Sequence, residues 1–177
     1  MEAITDDEIT LRINSPGGDV MVASSMVNCV MDRINNGGVV NAIIDGVCAS
    51  SATLIAIQCK NVKMAQHGMY MIHEAEAMAM GHASDFLNMA KVLSNTNKNA
   101  AKAYAKRTNM KVDDLLEEMG KELYMDSEEA MEKGFVDEVM EIVETKDEEV
   151  DMKMVMEQRN LRLQSMLNFN NSLRLVS

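Results

Sequence analysis

Ile44-Asp45-Gly46-Val47-Cys48-Ala49-Ser50-Ser51-Ala52-Thr53-Leu54-Ile55-Ala56 is the stretch whose reading decides the fold of this 177-residue chain. An apolar, β-branched run from Val39 to Ile44 reaches Asp45-Gly46, and the small residues Val47 to Ala49 read as a turn. Ser50 and Ser51 then open an apolar segment that reads as a helix to about Gln58. A strand, a tight turn and a helix starting at a serine make an elbow. Such an elbow exposes the hydroxyl and aims the first free backbone N–H groups of the helix at whatever lies above. Those groups sit at the positive end of the helix dipole and suit an oxyanion. A serine at a helix start ordinarily just caps the helix. The catalytic alternative needs a base and a further oxyanion donor elsewhere in the chain.

Towards the N-terminus, Ile9, Leu11 and Ile13 alternate with Thr10, Arg12 and Asn14, a period-two strand with one buried face. Ser15-Pro16-Gly17-Gly18 stops it, and a helix is expected from about Asp19 to Asn35. Val20, Ala23, Met26, Val27, Val30, Met31 and Ile34 fall on one stripe of that helix, and Gly37-Gly38 ends it. Val39 to Ile44, apolar apart from Asn41, suits a strand buried on both faces.

Towards the C-terminus, short strands are expected around Val62 to Ala65 and Met69 to His73, separated by a turn at His67-Gly68. Glu74 to Met80 has helix-favouring composition without caps, and Gly81 breaks it. A long helix spans about Ala83 to Arg107, with Ser84-Asp85 as its start signal. A short acidic helix runs from Val112 to Met119, and another from Ser127 to Lys133, with Ser127 as N-cap and Gly134 as C-cap. Phe135 to Ile142 reads as a last strand. Strand and helix alternate through the first hundred residues, which predicts an α/β fold with right-handed crossovers and a mainly parallel sheet. Residues 1–142 form the expected domain. Residues 143–177 divide into an acidic linker and a tail, with Leu161, Leu163, Leu167, Leu173 and Leu175, whose periodicity places it nowhere.

Composition narrows the function. A net charge of −11 argues against a phosphate-binding surface, so nucleic acid is not an expected partner. No apolar run reaches the ~18 residues of a membrane span, and the first residues do not have the layout of a signal peptide. Cys29, Cys48 and Cys59 lack C-x-x-C spacing and read as reduced, buried thiols of a cytoplasmic protein. The 19 Met accompany only three Tyr, three Phe and no Trp, and most of them read as adaptable core filling.

Three groups then deserve weighing together: Ser50 at the elbow, His73 at a strand end, and the Gly17-Gly18 turn. A serine nucleophile needs a base in hydrogen-bond reach and N–H donors for the developing oxyanion. In parallel sheets, ligand sites gather at the C-terminal ends of strands, where all three groups are expected. His67, in a turn, and His82, after a glycine, read as surface residues. A single strand-end histidine also has an ordinary structural reading, which geometry alone can settle.

With these residues in view, the chain resembles the Clp protease proteolytic subunit family, and most of all the Clp-like head maturation proteases of prophages. The matching text is Leu11-Arg12-Ile13-Asn14-Ser15-Pro16-Gly17-Gly18-Asp19-Val20, then Asp45-Gly46-Val47-Cys48-Ala49-Ser50-Ser51-Ala52, then Met71-Ile72-His73. Gly81-His82-Ala83-Ser84-Asp85, Ser127-Glu128-Glu129-Ala130 and Gly134-Phe135-Val136-Asp137-Glu138-Val139 also fit. The resemblance implies Ser50 as nucleophile, His73 as general base, and Gly18 and Ser51 as the backbone donors of the oxyanion hole. It implies the Clp/crotonase-like β-β-α superhelix, with the long helix from Ala83 as the handle that joins two rings of seven. The family's triad acid falls on Glu118, beside Glu117, where both also read as a solvated helix face.

Family members carry a first strand-helix unit and an axial-pore segment ahead of N-S-P-G-G, whereas thirteen residues precede Asn14 here. The expected chain is therefore N-terminally truncated, a mis-started reading frame or a prophage remnant. The expected function is a cytoplasmic serine endopeptidase without metal or organic cofactor. Its expected partners are a polypeptide substrate, copies of itself in a ring, and an AAA+ unfoldase or phage capsid proteins. The alternatives are an inactive Clp-like assembly subunit and, less in keeping with a serine elbow, a crotonase-type acyl-CoA enzyme.

Overall fold

The structure is a computed structural model, and it describes residues 7–141. The expected acidic linker and tail, and the end of the last expected strand at Ile142, lie outside the described residues. β1 (Glu8–Ser15) leads through the Pro-Gly-Gly turn into α1 (Val20–Asn35), and β2 (Val39–Ala49) leads through Ser50 into α2 (Ser51–Ala56). β3 (Val62–Ala65) and β4 (Met69–Ile72) are followed by an irregular segment and then by α3 (Ala83–Thr108) and α4 (Val112–Gly120). β5 (Leu123–Met125), α5 (Ser127–Glu132) and β6 (Glu138–Met140) complete the described chain.

The sheet runs β5-β4-β2-β3-β6, with β1 also paired to β2. Every pairing is parallel except β4 with β5. This is a curled, mainly parallel α/β sheet, as the residue pattern predicts. β2 organises it, because it changes partner along its length. Ala42 to Ile44 pair with β3, and Val47 to Ala49 pair with β4. The segment expected to be a turn, Val47 to Ala49, is therefore strand. Its ladder to β1 is interrupted between Ile13 and Ser15, where Asn14 Oδ1 accepts the Val47 N–H at 3.0 Å and keeps β2 extended through Asp45-Gly46. β2 also fails to bury both faces: Val40, Ala42, Ile44 and Cys48 are buried, while Val39, Asn41 and Ile43 are half-buried.

Several other expectations shift. Asp19 caps α1, accepting from Met21 N at 2.7 Å and Val22 N at 3.1 Å, but only Ala23 and Val30 of the predicted stripe are buried. Met26 and Met31 face solvent. Of the described methionines only Met64, Met119 and Met125 are buried, so most do not fill the core. Cys29 is exposed, contrary to the expectation for all three thiols, and Cys48 and Cys59 are buried and free. The N-cap of α5 is Asp126, which accepts from Glu129 N at 2.8 Å, rather than Ser127. Ser127 instead donates its hydroxyl to the Gln66 carbonyl at 2.8 Å and ties α5 to the β3–β4 turn. The last strand is shorter than expected because Phe135 and Val136 turn into the core, where the Phe135 ring meets Tyr70 and Tyr104 at 5.2 and 5.6 Å.

α3 is one continuous helix whose two halves differ in burial. Its second half packs inward through Asn97, Ala100, Ala101, Tyr104 and Thr108. Its first half leaves Phe86, Leu87 and Val92 in solvent. No helix among the described residues is long and apolar enough to cross a membrane.

Candidate active site

The β2–β4 register builds the site. Ala49 pairs with Met71, and the Ser50 N–H donates to the Met71 carbonyl at 2.9 Å, so the residues just beyond each strand emerge side by side. Ser50 follows β2 and His73 follows β4. Their side chains meet, with Ser50 Oγ 2.7 Å from His73 Nε2. Ser50 makes no side-chain cap bond to α2, so its hydroxyl is left for the imidazole.

The elbow is strained. Ser50 has φ 55° and ψ −131°, a region costing a non-glycine residue about 1–3 kcal/mol and held only where the surroundings enforce it. Gly17 is part of that enforcement. Its φ is 92°, and a Cβ there would lie 2.6 Å from the Ala49 carbonyl oxygen and 2.7 Å from Ser50 Cβ. Only a residue without a side chain lets the turn approach the nucleophile this closely. Ser51 Oγ donates to the Gly18 carbonyl at 3.1 Å, tying the turn to the first residue of α2. Among the described residues, the Gly18 and Ser51 amides donate to no protein acceptor. Two unspent N–H groups flanking an elbow serine are suited to an oxyanion.

A cleft of about 610 Å³ opens over Ser50, Ser51, Gly18 and His73, with apolar walls from Val20, Met21, Leu54, Met89, Val92 and Leu93. Cys48, two residues before Ser50, offers no rival nucleophile. Burial pushes its thiol up to about 12, and thiolate is the reactive form.

The acid that the resemblance implies is not at the imidazole. Glu118, on α4, has its carboxylate 3.5 Å from Lys121 Nζ, while neighbouring Glu117 holds the same ammonium at 2.7 Å. The carboxylate at the outer nitrogen of His73 is that of Glu76, with Oε1 4.0 Å from Nδ1, in the irregular segment between β4 and α3. The start of that segment is tied to two helices: Glu74 N donates to the Met119 carbonyl of α4 at 3.2 Å, and Ala75 N to Asn97 Oδ1 of α3 at 2.8 Å. The stretch whose composition favours helix is irregular instead. His67 and His82 are exposed and stand apart from the cleft. Glu76, Thr53, Asn97 and Tyr104 were not singled out as site residues by sequence, whereas Gly17 was, through the Gly17-Gly18 turn.

An elbow hydroxyl on an imidazole, with free amides beside it, is the equipment of acyl transfer by a serine hydrolase. Comparison with known proteins agrees with that class. The Clp protease family profile matches residues 2–143. The ATP-dependent Clp protease proteolytic subunit of Streptococcus mutans is 31% identical over 143 residues, covering 78% of this chain and 71% of that protein. Its counterpart from Pleurastrum terricola is 31% identical over 132 residues, covering 73% and 66%. That of Lactococcus lactis subsp. lactis is 30% identical over 139 residues, covering 76% and 68%. The chain thus spans about two thirds of the length of these relatives and belongs to the Clp protease family.

Proposed function

We propose that this chain is a serine endopeptidase in which Ser50 is the nucleophile and His73 the base. The observation that carries the reading is the 2.7 Å contact of Ser50 Oγ with His73 Nε2 at a strained elbow backed by Gly17. In this mechanism His73 Nε2 takes the Ser50 proton as Oγ attacks a peptide carbonyl. The Gly18 and Ser51 N–H groups hold the oxygen that becomes negative. The tetrahedral species collapses, the imidazolium gives its proton to the departing amine, and Ser50 is left acylated. Water, deprotonated by His73, releases the acid and restores the hydroxyl.

The third member of the site has two candidates. The resemblance supports Glu118, and the 4.0 Å approach to Nδ1 favours Glu76 in the arrangement observed. A carboxylate there keeps the proton on Nδ1, so that the Nε2 lone pair faces Ser50.

Residues 1–142 are the protease unit of this reading, and 143–177 an acidic linker and tail. The proposed substrate is a polypeptide in the cytoplasm, either capsid or scaffold protein in phage maturation or protein delivered by an AAA+ unfoldase. Copies of the chain join through the first half of α3, where Leu87 is 74% exposed and Phe86 51%. Apolar side chains left in solvent on one face suit a contact between protomers. Peptide hydrolysis by purified chain tests the proposal. Ser50→Ala and His73→Ala are expected to abolish it, and His67→Ala and His82→Ala to leave it intact. Full activity in Ser50→Ala would sink the reading.

A further inference from the structure

We propose that Tyr104 and Thr53 form a buried hydroxyl relay that holds the Ser50 carbonyl, and with it the elbow, where Ser50 Oγ can meet His73. The inference rests on the reading of Ser50 as nucleophile. Thr53 is wholly buried and Tyr104 nearly so. Thr53 Oγ1 donates to the Ser50 carbonyl, which also accepts the Thr53 N–H at 3.0 Å. The Tyr104 hydroxyl lies 2.6 Å from Thr53 Oγ1. A threonine hydroxyl has one hydrogen. Thr53 spends it on Ser50, so Tyr104 is the donor in the second bond, and the relay has one direction: Tyr104 to Thr53 to the Ser50 carbonyl.

Burial also pushes the Tyr104 hydroxyl well above the ordinary phenol range, which keeps its proton in place for that donation. Edge contact with the Phe135 ring, at 5.6 Å, limits the ring's rotation. The relay thus reaches Thr53, and through it the elbow, from a residue of α3 fifty-one positions along the chain.

Ser50 needs such a support. With φ at 55° its backbone has a lower-energy alternative, and relaxing towards it would swing Oγ away from His73. The N–H side of the residue is fixed by Met71 and the carbonyl side by Thr53. Tyr104 fixes Thr53 in turn, from outside the elbow. One helical stripe serves both halves of the site, because Asn97, two turns earlier on α3, holds the Ala75 N–H just beyond His73. Tyr104 and Thr53 are positioning residues, acting through the main chain of Ser50.

The test uses the full chain with Tyr104→Phe, Thr53→Val, Thr53→Ser and the double variant Thr53→Val/Tyr104→Phe. Two measurements are made: kcat and KM on a fluorogenic peptide, and amide hydrogen exchange across residues 50–54. Tyr104→Phe is expected to lower kcat roughly tenfold with KM unchanged, as a small misplacement of a reacting atom does. Its exchange should quicken in residues 50–54. Thr53→Ser should keep kcat within about twofold of wild type, because the hydroxyl survives. The double variant should be no slower than Thr53→Val alone, since Tyr104 acts only through Thr53. Wild-type kcat and unchanged exchange in Tyr104→Phe would overturn the relay, as would additive losses in the double variant. If wild type proves inactive, the proposed function fails separately, and the exchange measurement still decides the relay.

Discussion

Gly17→Ala puts a methyl group where the structure has no room for one. The new Cβ would sit 2.6 Å from the Ala49 carbonyl oxygen, 2.7 Å from Ser50 Cβ and 3.0 Å from Ser51 N, so it meets main chain and the nucleophile itself. None of these atoms is the end of a flexible side chain, so the elbow or the turn must move. Two penalties combine: a left-handed backbone at φ 92° costs alanine about 1–2 kcal/mol, and forcing extra volume into packed structure about 1–3 kcal/mol more. Gly37→Ala separates them, because Gly37 has φ 88° and open space where its Cβ would go. For a chain of this size 1 kcal/mol is about 2–4 °C in Tm, so Gly37→Ala should melt roughly 2–8 °C lower and Gly17→Ala roughly 4–20 °C lower. The larger difference is expected in function. A reacting atom displaced by about 1 Å loses roughly a hundredfold in rate, so phosphonate labelling of Gly17→Ala should be slower by about that factor while Gly37→Ala labels normally. Equal melting of the two variants together with wild-type labelling of Gly17→Ala would refute the claim that Gly17 backs the elbow.

Glu76→Gln should lower kcat by roughly two- to fivefold, the upper part of the range of an exposed charge contact, and Glu118→Gln by less than twofold. The reverse order would return the acid to Glu118. In native protein a thiol reagent should modify Cys29 alone, and after denaturation all three cysteines; rapid native labelling of Cys48 would contradict its burial. Burial pushes Cys48 up to about 12 and Cys59 to about 11, so the folded state keeps protons that the unfolded state releases. The stability linked to these thiols is therefore complete below their ordinary value of 9.0 and is lost as the pH climbs towards 12, which melting across that range reads directly. Leu87→Glu should reduce the sedimentation coefficient by breaking assembly through α3. An unchanged coefficient would remove that face as the contact.

Much of the frame was legible because it is local. Alternation at Ile9, Leu11 and Ile13, the Pro-Gly-Gly stop, the β-branched run before Asp45 and the serines opening α2 each announce themselves within a few residues. Ser50, Ser51, His73 and Gly18 could be named from that pattern and the family text, and the structure brings them to one cleft. What stayed hidden depends on pairing across the chain. Val47 to Ala49 look like a turn until β4 offers them a ladder, and β5 is three residues long and exists through its antiparallel contact with Tyr70 to Ile72. Glu74 to Met80 has helical composition, but the Met119 carbonyl and Asn97 take the N–H groups of Glu74 and Ala75 at its start, and tertiary hydrogen bonds outweigh propensity there. Ser127 looked like a cap because serine usually is one, yet it is the first residue of α5, and Asp126 just before it takes the cap.

The most direct test of the central claim is to map the adduct of a fluorophosphonate probe on the wild-type chain by peptide mass spectrometry. One modified residue, Ser50, is expected, with labelling lost in Ser50→Ala and reduced at least a hundredfold in His73→Ala. An adduct on Ser51 that persists in Ser50→Ala, or labelling of Ser50 at the wild-type rate in His73→Ala, would contradict it.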